Sequence, residues 1–350
     1  MASIDEKPAP PPAPPSPPVP VVATSYFNPI SPFFNAYDRF ASWRRDLGLP
    51  HPGSVESLGK EVKATHLSTY IFDGARADIT KTFSMNPLFQ ATHSFALGSQ
   101  TAPPSYNFTA IYATPSVFMQ GGVDHEGNVN GRFNRGWSPN NVTKFHAQFS
   151  QQVGHNMIQA EQEYQGADFN VNLKAINPWP TDLTGIYVGS YLQSFTKNLA
   201  LGVESVFQRP TPDTSEQITS YLARYTSSDK SWIATTQLQG AGVMTATYWQ
   251  KLSERVEAAA ELQVVATPTR RDAIATLGAK YDLRAASFKA QLDSTGKVSA
   301  LLEQRFTPTF SFLVAGEIDH FKNAAKVGVG VMIEGTSLTP EEMGYPPEMQ

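Results

Sequence analysis

Alternation of apolar and polar side chains is the dominant pattern of this chain from about residue 75 to residue 334. It is clearest over residues 325–334, where the apolar side chains stand at every second position: Val327, Val329, Val331 and Ile333. A period of two residues is typical of a strand that has one apolar face. We therefore predict a strand over residues 325–334.

The same period recurs along the chain and predicts nineteen strands. They span residues 75–83, 89–97, 106–113, 117–123, 129–136, 142–150, 156–164, 168–176, 183–192, 199–208, 217–226, 231–239, 242–250, 254–264, 274–283, 286–293, 297–305, 309–319 and 325–334. No helical run after Arg76 is long enough to cover the apolar faces with a second layer. Because an open sheet of this length leaves unpaired edges, we predict an all-β transmembrane barrel over residues 75–335 that closes on itself and meets lipid with its apolar face.

Composition agrees with a membrane barrel. Apolar residues make up 41% and charged residues 17% of the 350 positions, against roughly 45–50% and about 25% in soluble domains. A barrel has this balance because only every second residue faces lipid, while the lumen is polar. No run approaches the ~18 apolar residues of a spanning helix, which excludes a helical membrane protein. A soluble β-propeller would need repeats of ~40–50 residues, and none is visible.

The region before the barrel divides into two parts. Residues 1–25 are rich in proline and predict an extended, disordered tail. Residues 26–74 predict a helical segment with one amphipathic helix near 32–47 and a second near 54–64, whose apolar stripe is Val55, Leu58 and Val62. We expect this segment to be threaded into or across the pore, and a position on the membrane surface is the alternative. Residues 336–350 are expected to form a C-terminal tail.

Signatures of catalysis and cofactor binding are absent from the sequence. It has no cysteine and no histidine pair with metal-ligand spacing. It also lacks a nucleophile elbow and a dinucleotide fingerprint; we read the nearest match to the latter, Gly328-Val329-Gly330, as relief of crowding on the concave face of a strand. We expect no enzyme, no metal and no cofactor. The net charge of -4 makes nucleic acid an improbable partner. The N-terminus shows no secretory signal, which favours a eukaryotic organelle barrel over a bacterial outer-membrane one.

Four segments resemble a known family: residues 74–81, 173–178, 183–189 and 277–284. The family is the pore subunit of the mitochondrial outer-membrane protein translocase, of the fungal type, within the mitochondrial porin superfamily. The similarity covers most of the chain from Gly53 to Gly335, and the proline tail departs from it. It implies nineteen strands with parallel first and last strands, a helix in the lumen, and both termini toward the intermembrane space.

The resemblance also implies partners. These are precursor proteins with basic presequences, single-span helical subunits including a tail-anchored receptor, membrane lipids, and a second barrel in a hetero-oligomer. The closing strand is similar to the sorting signal of mitochondrial barrels, with Lys326, Gly328, Val329, Val331 and Ile333 at its defining positions. This similarity implies recognition by the outer-membrane sorting and assembly machinery, and physically an unpaired last strand can add to an open sheet edge.

The leading hypothesis for function is a channel that passes unfolded polypeptides. Strand parity places charges of both signs in the lumen: acids at Asp78, Glu204, Glu257, Glu261, Asp282, Glu303 and Glu317, and bases at Arg132, Lys174, Arg224, Lys280, Arg284 and Arg305. We predict that five acids, Asp78, Glu257, Glu261, Glu303 and Glu317, line the polypeptide path and attract basic targeting segments. For each, a structural charge paired across strands is the alternative. A metabolite and anion channel with a net basic lumen is the alternative function.

Overall fold

The computed structural model describes residues 42–44, 46–67, 70–99, 103–152, 154, 156–179, 181–267 and 269–336. The predicted tail over residues 1–25 and the C-terminal tail from residue 337 lie outside the described residues. Of the predicted helix near 32–47, only residues 42–44, 46 and 47 are described, and the first four of these are helical. Residues up to Asp46 and residues from Leu47 onward form two compact units, and the barrel belongs to the second.

Nineteen strands form one sheet in chain order, joined mostly by short turns. Their bounds are β1 Gly74–Met85, β2 Leu88–Ala96, β3 Ser105–Ala113, β4 Val117–Asp124, β5 Val129–Ser138, β6 Asn141–Phe149, β7 Met157–Gln165, β8 Phe169–Ile176, β9 Gly185–Ser194, β10 Leu199–Thr211, β11 Thr214–Thr226, β12 Trp232–Gln239, β13 Val243–Lys251, β14 Val256–Ala266, β15 Arg271–Asp282, β16 Ala286–Asp293, β17 Lys297–Thr307, β18 Phe310–Asp319 and β19 Ala324–Thr336. All nineteen predicted strands are confirmed, with ends that differ by at most three residues.

Closure follows from the strand count. Each strand is antiparallel to the next in the chain, so an odd number of strands brings the first and last together in the same direction. β1 and β19 pair in parallel from Gly74 opposite Gly328 to Thr82 opposite Thr336. The ring of hydrogen-bonded neighbours is then complete and the described sheet has no open edge, as a lipid-facing sheet requires.

The two faces of the sheet differ as the alternation predicts. On β19, Val327 and Ile333 point outward and are 63% and 41% exposed, whereas Ala315, inward on β18 and opposite Gly328, is completely buried. Outward residues elsewhere are large and apolar, for example Ile79 and Leu277. Because residues that oppose each other across a ladder share a face, the pairing register assigns every strand residue to the lipid side or to the lumen.

The region before β1 corrects one prediction. The single helix predicted near 54–64 is two short pieces, a 3-10 turn over Val55–Ser57 and helix α1 over Lys60–Thr65. The Ser57 hydroxyl accepts a hydrogen bond from the Ser54 N–H and donates one to the Ser54 carbonyl, which closes the first turn. Among the described residues, no helix is long and apolar enough to cross a membrane.

Two residues near strand ends depart from the simple pattern. Trp249 lies near the end of β13, where aromatic residues of membrane barrels usually meet the interface, but it faces the lumen and is buried beneath α1 with Ile233 and Ala259. Arg284, expected on the inward face of a strand, lies beyond the end of β15 at Asp282, in the turn that leads to β16. Pairing with the neighbouring strands decides where a strand ends and which face its last residues point to. The local sequence does not contain that information.

Candidate functional site

A segment inside the barrel shapes the lumen. We call residues 50–67 and 70–72 the inner belt. Pro50, at its start, contacts β9. From Glu56 onward its contacts follow the order of the strands around the wall: Glu56 with β8, Leu58 with β9 to β11, Glu61 with β11, Val62 with β12 to β14, His66 with β14, Leu67 with β16 to β18, and Phe72 with β19. So short a segment can touch so many strands only from inside the ring.

Three buried apolar clusters fix the belt to the wall. Leu58 packs on Leu192, Ala200 and Leu222, with Val55 beside it. Val62, 3% exposed, packs on Ile233, Trp249 and Ala259. Leu67, Leu301 and Ala315 form the third cluster, flanked by Ile71 and Phe72. The predicted lumenal stripe therefore faces the barrel wall, and the break between the 3-10 turn and α1 allows Leu58 and Val62 to reach different strands.

Polar contacts hold the belt between these clusters. The carboxylate of Glu56 lies 3.1 Å from Lys174 Nζ, and that of Glu61 lies 2.9 Å from Arg224 Nη2. Further along, His66 Nδ1 is 3.4 Å from a carboxylate oxygen of Glu261. Lys289 Nζ donates to the Ala64 carbonyl at 2.8 Å. Because the apolar and polar anchors alternate, the belt is fastened along its length.

The close approach of the end of the belt explains why position 328 is a glycine. A Cβ at this position would collide with the backbone oxygen and the ring of Phe72. The glycine on β19 therefore allows the belt to lie flat on the wall just before β1 begins. The predicted relief of crowding on the concave face is present, and its physical cause is Phe72.

Both ends of the barrel segment lie at the same rim. The Ser194 hydroxyl, at the last residue of β9, donates to the Pro50 carbonyl at 2.7 Å. β9 and β19 run in the same direction because both are odd-numbered strands of an alternating sheet. Pro50, where the belt begins, and Thr336, where β19 ends, are therefore at one mouth of the barrel.

The five acids predicted for the polypeptide path all face the lumen, but they are spread over β1, β14, β17 and β18. Asp78 is 2.8 Å from Arg76 Nε, and Glu261 is held by His66. Glu257 accepts a hydrogen bond from Trp249 Nε1 at 3.4 Å and lies across the ladder from Lys280. Glu317 accepts from Ser299 Oγ at 3.3 Å and is 3.9 Å from Lys326. Glu303 lies across the ladder from Ser287 and Leu313.

A second set of lumenal charges was missed from the sequence. Lys144 Nζ on β6 lies 2.7 Å from Glu161 and 2.8 Å from Glu163, both on β7. Asn172 and Asn170 on β8 donate to the same two carboxylates at 2.8 and 3.0 Å. Glu161 and Glu163 are buried, at 4% and 5% exposed. Two acids at alternate positions on one strand, opposite a lysine on the preceding strand, are the sequence signal that could have indicated this cluster.

The residues of the predicted sorting signal divide between the two faces of β19. Lys326 and Gly328 face the lumen, and Val329, Val331 and Ile333 face outward. The strand pairs on one side with β18 and on the other with β1. It is thus the strand whose pairing completes the barrel.

Comparisons with known proteins agree with this architecture. The model of the family described as eukaryotic porin matches residues 51–328, which is the belt and nearly the whole barrel. The chain belongs to the eukaryotic porin family. This porin is 42% identical over 323 residues to the Neurospora crassa protein named mitochondrial import receptor subunit tom40, covering 88% of this porin and 90% of the relative.

Two other relatives extend the comparison. The Saccharomyces cerevisiae protein named mitochondrial import receptor subunit TOM40 is 42% identical over 328 residues, covering 88% of this porin and 84% of the relative. The human protein named mitochondrial import receptor subunit TOM40 homolog is 31% identical over 296 residues, covering 81% and 79%. Within the described part of the porin, no group of three His, Cys, Asp or Glu side chains is placed to hold a metal ion.

Proposed function

We propose that this porin is the protein-conducting channel of the mitochondrial outer membrane and passes unfolded precursor polypeptides through its lumen. The observation that carries the proposal is the similarity at 42% identity, across belt and barrel together, to relatives named as mitochondrial import receptor subunits. The closed wall with a polar, mixed-charge lumen supports a pore.

The charges that line the lumen distinguish a protein-conducting channel from a metabolite and anion channel. Mitochondrial targeting segments are basic, so a pore that admits them should carry accessible acids. Two of the basic wall residues, Lys174 and Arg224, are paired with belt acids, and Lys144 is paired with Glu161 and Glu163. Pairing of these cations lowers the positive potential that an anion channel would need.

Recording from single pores in a planar bilayer tests the proposal. We expect a cation-preferring conductance that a basic presequence peptide blocks at low micromolar concentration, and that an uncharged peptide of the same length blocks far less. Anion preference without peptide block would instead favour the metabolite channel.

The two ends of the barrel segment, Pro50 and Thr336, share one mouth of the barrel and support a single-sided arrangement. We propose that this mouth faces the intermembrane space, so that Pro50 and Thr336 are on that side. A protease cleavage site inserted after Thr336 should be cut only when the outer membrane of isolated mitochondria is opened. Cutting in intact mitochondria would reverse the orientation.

Partners follow from the relatives' names, which describe subunits of an import receptor. We propose that single-span helical subunits, including a tail-anchored receptor, pack on the outer wall with lipid and join two barrels in one hetero-oligomer. Native electrophoresis in mild detergent should show a particle several times the 38.3 kDa of one chain. A strictly monomeric particle would contradict this.

A further inference from the structure

The inner belt divides the lumen wall into two unequal parts. Among the described residues, the hydrogen bonds, ion pairs and buried apolar clusters that fix the belt to the wall involve β8 through β19. The inward face of β2 through β7, which we call the bare sector, lies on the other side of the ring. Anything that passes through the lumen therefore has the belt on one side and the bare sector on the other.

Uncharged amides distinguish the bare sector. The lining of a lumenal groove of about 440 Å³ in this part of the wall includes five amides, Gln120, Asn130, Asn134, Gln148 and Gln159. It also includes Arg132, Lys144, His146, Glu161 and, from the belt, Glu56. These five amides come from four successive strands, β4 to β7. Glu161 and Glu163, on β7 of the same sector, are buried and paired with Lys144. The accessible surface of the groove is thus rich in hydrogen-bonding groups and low in unpaired negative charge.

Amide side chains suit the main chain of an unfolded polypeptide. Each carries both a donor and an acceptor, which are the complements of a peptide carbonyl and a peptide N–H. Exchange of such bonds with water leaves a net gain of only about 0.5–1.5 kcal/mol each, so contacts form and break readily. The two cations and two acids on the lining, Arg132, Lys144, Glu161 and Glu56, balance each other in sign. A balanced surface avoids trapping basic or acidic stretches, whereas a wall with charges of one sign would hold the opposite sign.

We propose that the main chain of a translocating polypeptide runs along the bare sector, against Gln120, Asn130, Asn134, Gln148 and Gln159, with the belt on its other side. The proposal rests on the proposed function and adds the location of its path. In this arrangement the amide surface carries the main chain whatever its sequence, and basic side chains that extend from it across the lumen meet the acids of β1, β14, β17 and β18.

Two glutamines give a matched pair for a test. Gln148 on β6 and Gln263 on β14 both face the lumen, are both exposed, and both lie toward the mouth where β1 begins. Only Gln148 belongs to the bare sector. The chain contains no cysteine, so Q148C and Q263C each introduce one thiol. A third variant, Q159C, samples the groove at a second position, and A259C provides a thiol buried beneath Val62.

The experiment uses mitochondria that contain the assembled variant and a precursor arrested by a folded C-terminal domain, with one cysteine in its unfolded part. Oxidation should link the precursor to Q148C and Q159C. The yield at Q263C should be lower by roughly an order of magnitude, because linkage follows the local concentration of the two thiols. A259C should give none. A soluble thiol reagent should modify Q148C without precursor and be blocked when the precursor is arrested.

Several results would contradict the proposed path of the polypeptide. Equal or stronger linkage at Q263C would place the polypeptide on the belt side of the lumen. A thiol at Q148C that is protected without any precursor would mean that another part of this chain already covers the bare sector. Failure of the cysteine-free porin to retain the arrested precursor would overturn the channel function itself, and is recognised separately because it needs no introduced thiol.

Discussion

The carboxylate of Glu61 on the inner belt lies 2.9 Å from the guanidinium of Arg224 on β11, although the residues are 163 positions apart in the chain. Arg224 also donates to the Ser57 carbonyl at 3.4 Å, so one wall residue holds both the 3-10 turn and α1. Because the side chains of Arg224 and Glu61 are 15% and 28% exposed, this contact is less screened than a surface ion pair.

Loss of this contact should loosen the belt. We expect R224Q and E61Q each to lower the free energy of unfolding in detergent by about 0.5–2 kcal/mol, since a partly buried charged hydrogen bond is lost and its partner is left behind. The double variant should lose less free energy of unfolding than the two single variants lose together. E254Q, in the exposed turn between β13 and β14, is the control and should change stability by no more than about 0.5 kcal/mol. Additive single effects would mean that the two side chains do not interact.

The buried cluster around Lys144 should contribute more to the stability of the barrel wall. K144M removes the cation that neutralises Glu161 and Glu163, which are both buried. Breaking a buried ion pair by removing one partner costs about 3–5 kcal/mol. We expect K144M to reduce the yield of folded barrel sharply, K144R to retain most of it, and K144M combined with E161Q and E163Q to recover part of it. Normal folding of K144M would show that the two acids are neutralised in another way.

How far the sequence predicts this architecture depends on which contacts an element needs. The strands are predictable because Val327, Val329, Val331 and their counterparts carry the two-residue period locally, and the odd strand count then fixes the parallel closure. The belt is predictable only as an apolar stripe. Its partners, such as Leu192 for Leu58, lie more than a hundred residues away, and nothing local selects them.

The Lys144 cluster and Trp249 show the same limit. Glu161 and Glu163 look like the solvated face of a strand until the ring closes and buries them against Asn170 and Asn172. Trp249 has the position of an interfacial aromatic, but pairing across the ladder to Ile233 and Ala259 turns it inward under Val62. Lumenal environment is therefore a property of the closed barrel and not of any one strand.

Residues on the two faces of β19 should affect assembly differently. V329D and V331D place a charge against lipid, at up to about 2–4 kcal/mol each near the middle of the bilayer. We expect them to cross into the intermembrane space after synthesis but to fail integration, which carbonate extraction and native electrophoresis would show. M332Q, a lumenal change on the same strand, is the control and should integrate normally. Integration of V329D and V331D at the normal rate would exclude this strand as the sorting signal.

Substitution of Gly328 should prevent assembly for a different reason. G328L directs a side chain into the backbone oxygen and ring of Phe72, so it prevents the belt from lying on β19. We expect G328L to be recognised by the assembly machinery yet to accumulate as an intermediate, whereas G316L, at an outward position of β18 with open space around it, should assemble. Equal assembly of the two variants would show that the contact with Phe72 does not constrain closure.

Lumenal acids should guide basic targeting segments. The set is Asp78, Glu257, Glu261, Glu303 and Glu317. Their carboxylates differ in how closely neighbouring side chains hold them. Asp78 lies 2.8 Å from Arg76 and Glu261 lies 3.4 Å from His66, whereas Glu317 is 3.9 Å from Lys326 and only loosely paired. Glu257 and Glu261 lie four residues apart on one face, roughly 13 Å at ~3.3 Å per residue, a spacing that suits successive basic groups of a sliding peptide.

At physiological salt the Debye length is about 8 Å, so each acid acts only nearby and several must be removed together. We expect neutralisation of all five to Asn or Gln to weaken block by a basic presequence peptide several-fold, and E303Q with E317Q to account for most of that loss because these two are least engaged. In the unmodified pore the block should strengthen as salt is lowered. The matched control neutralises five acids in exposed turns, Glu126, Asp182, Asp213, Asp229 and Glu254, and changes the net charge equally. Equal block of the lumenal variant and this control across a salt series would show that the five carboxylates are structural and that the targeting segment is recognised elsewhere.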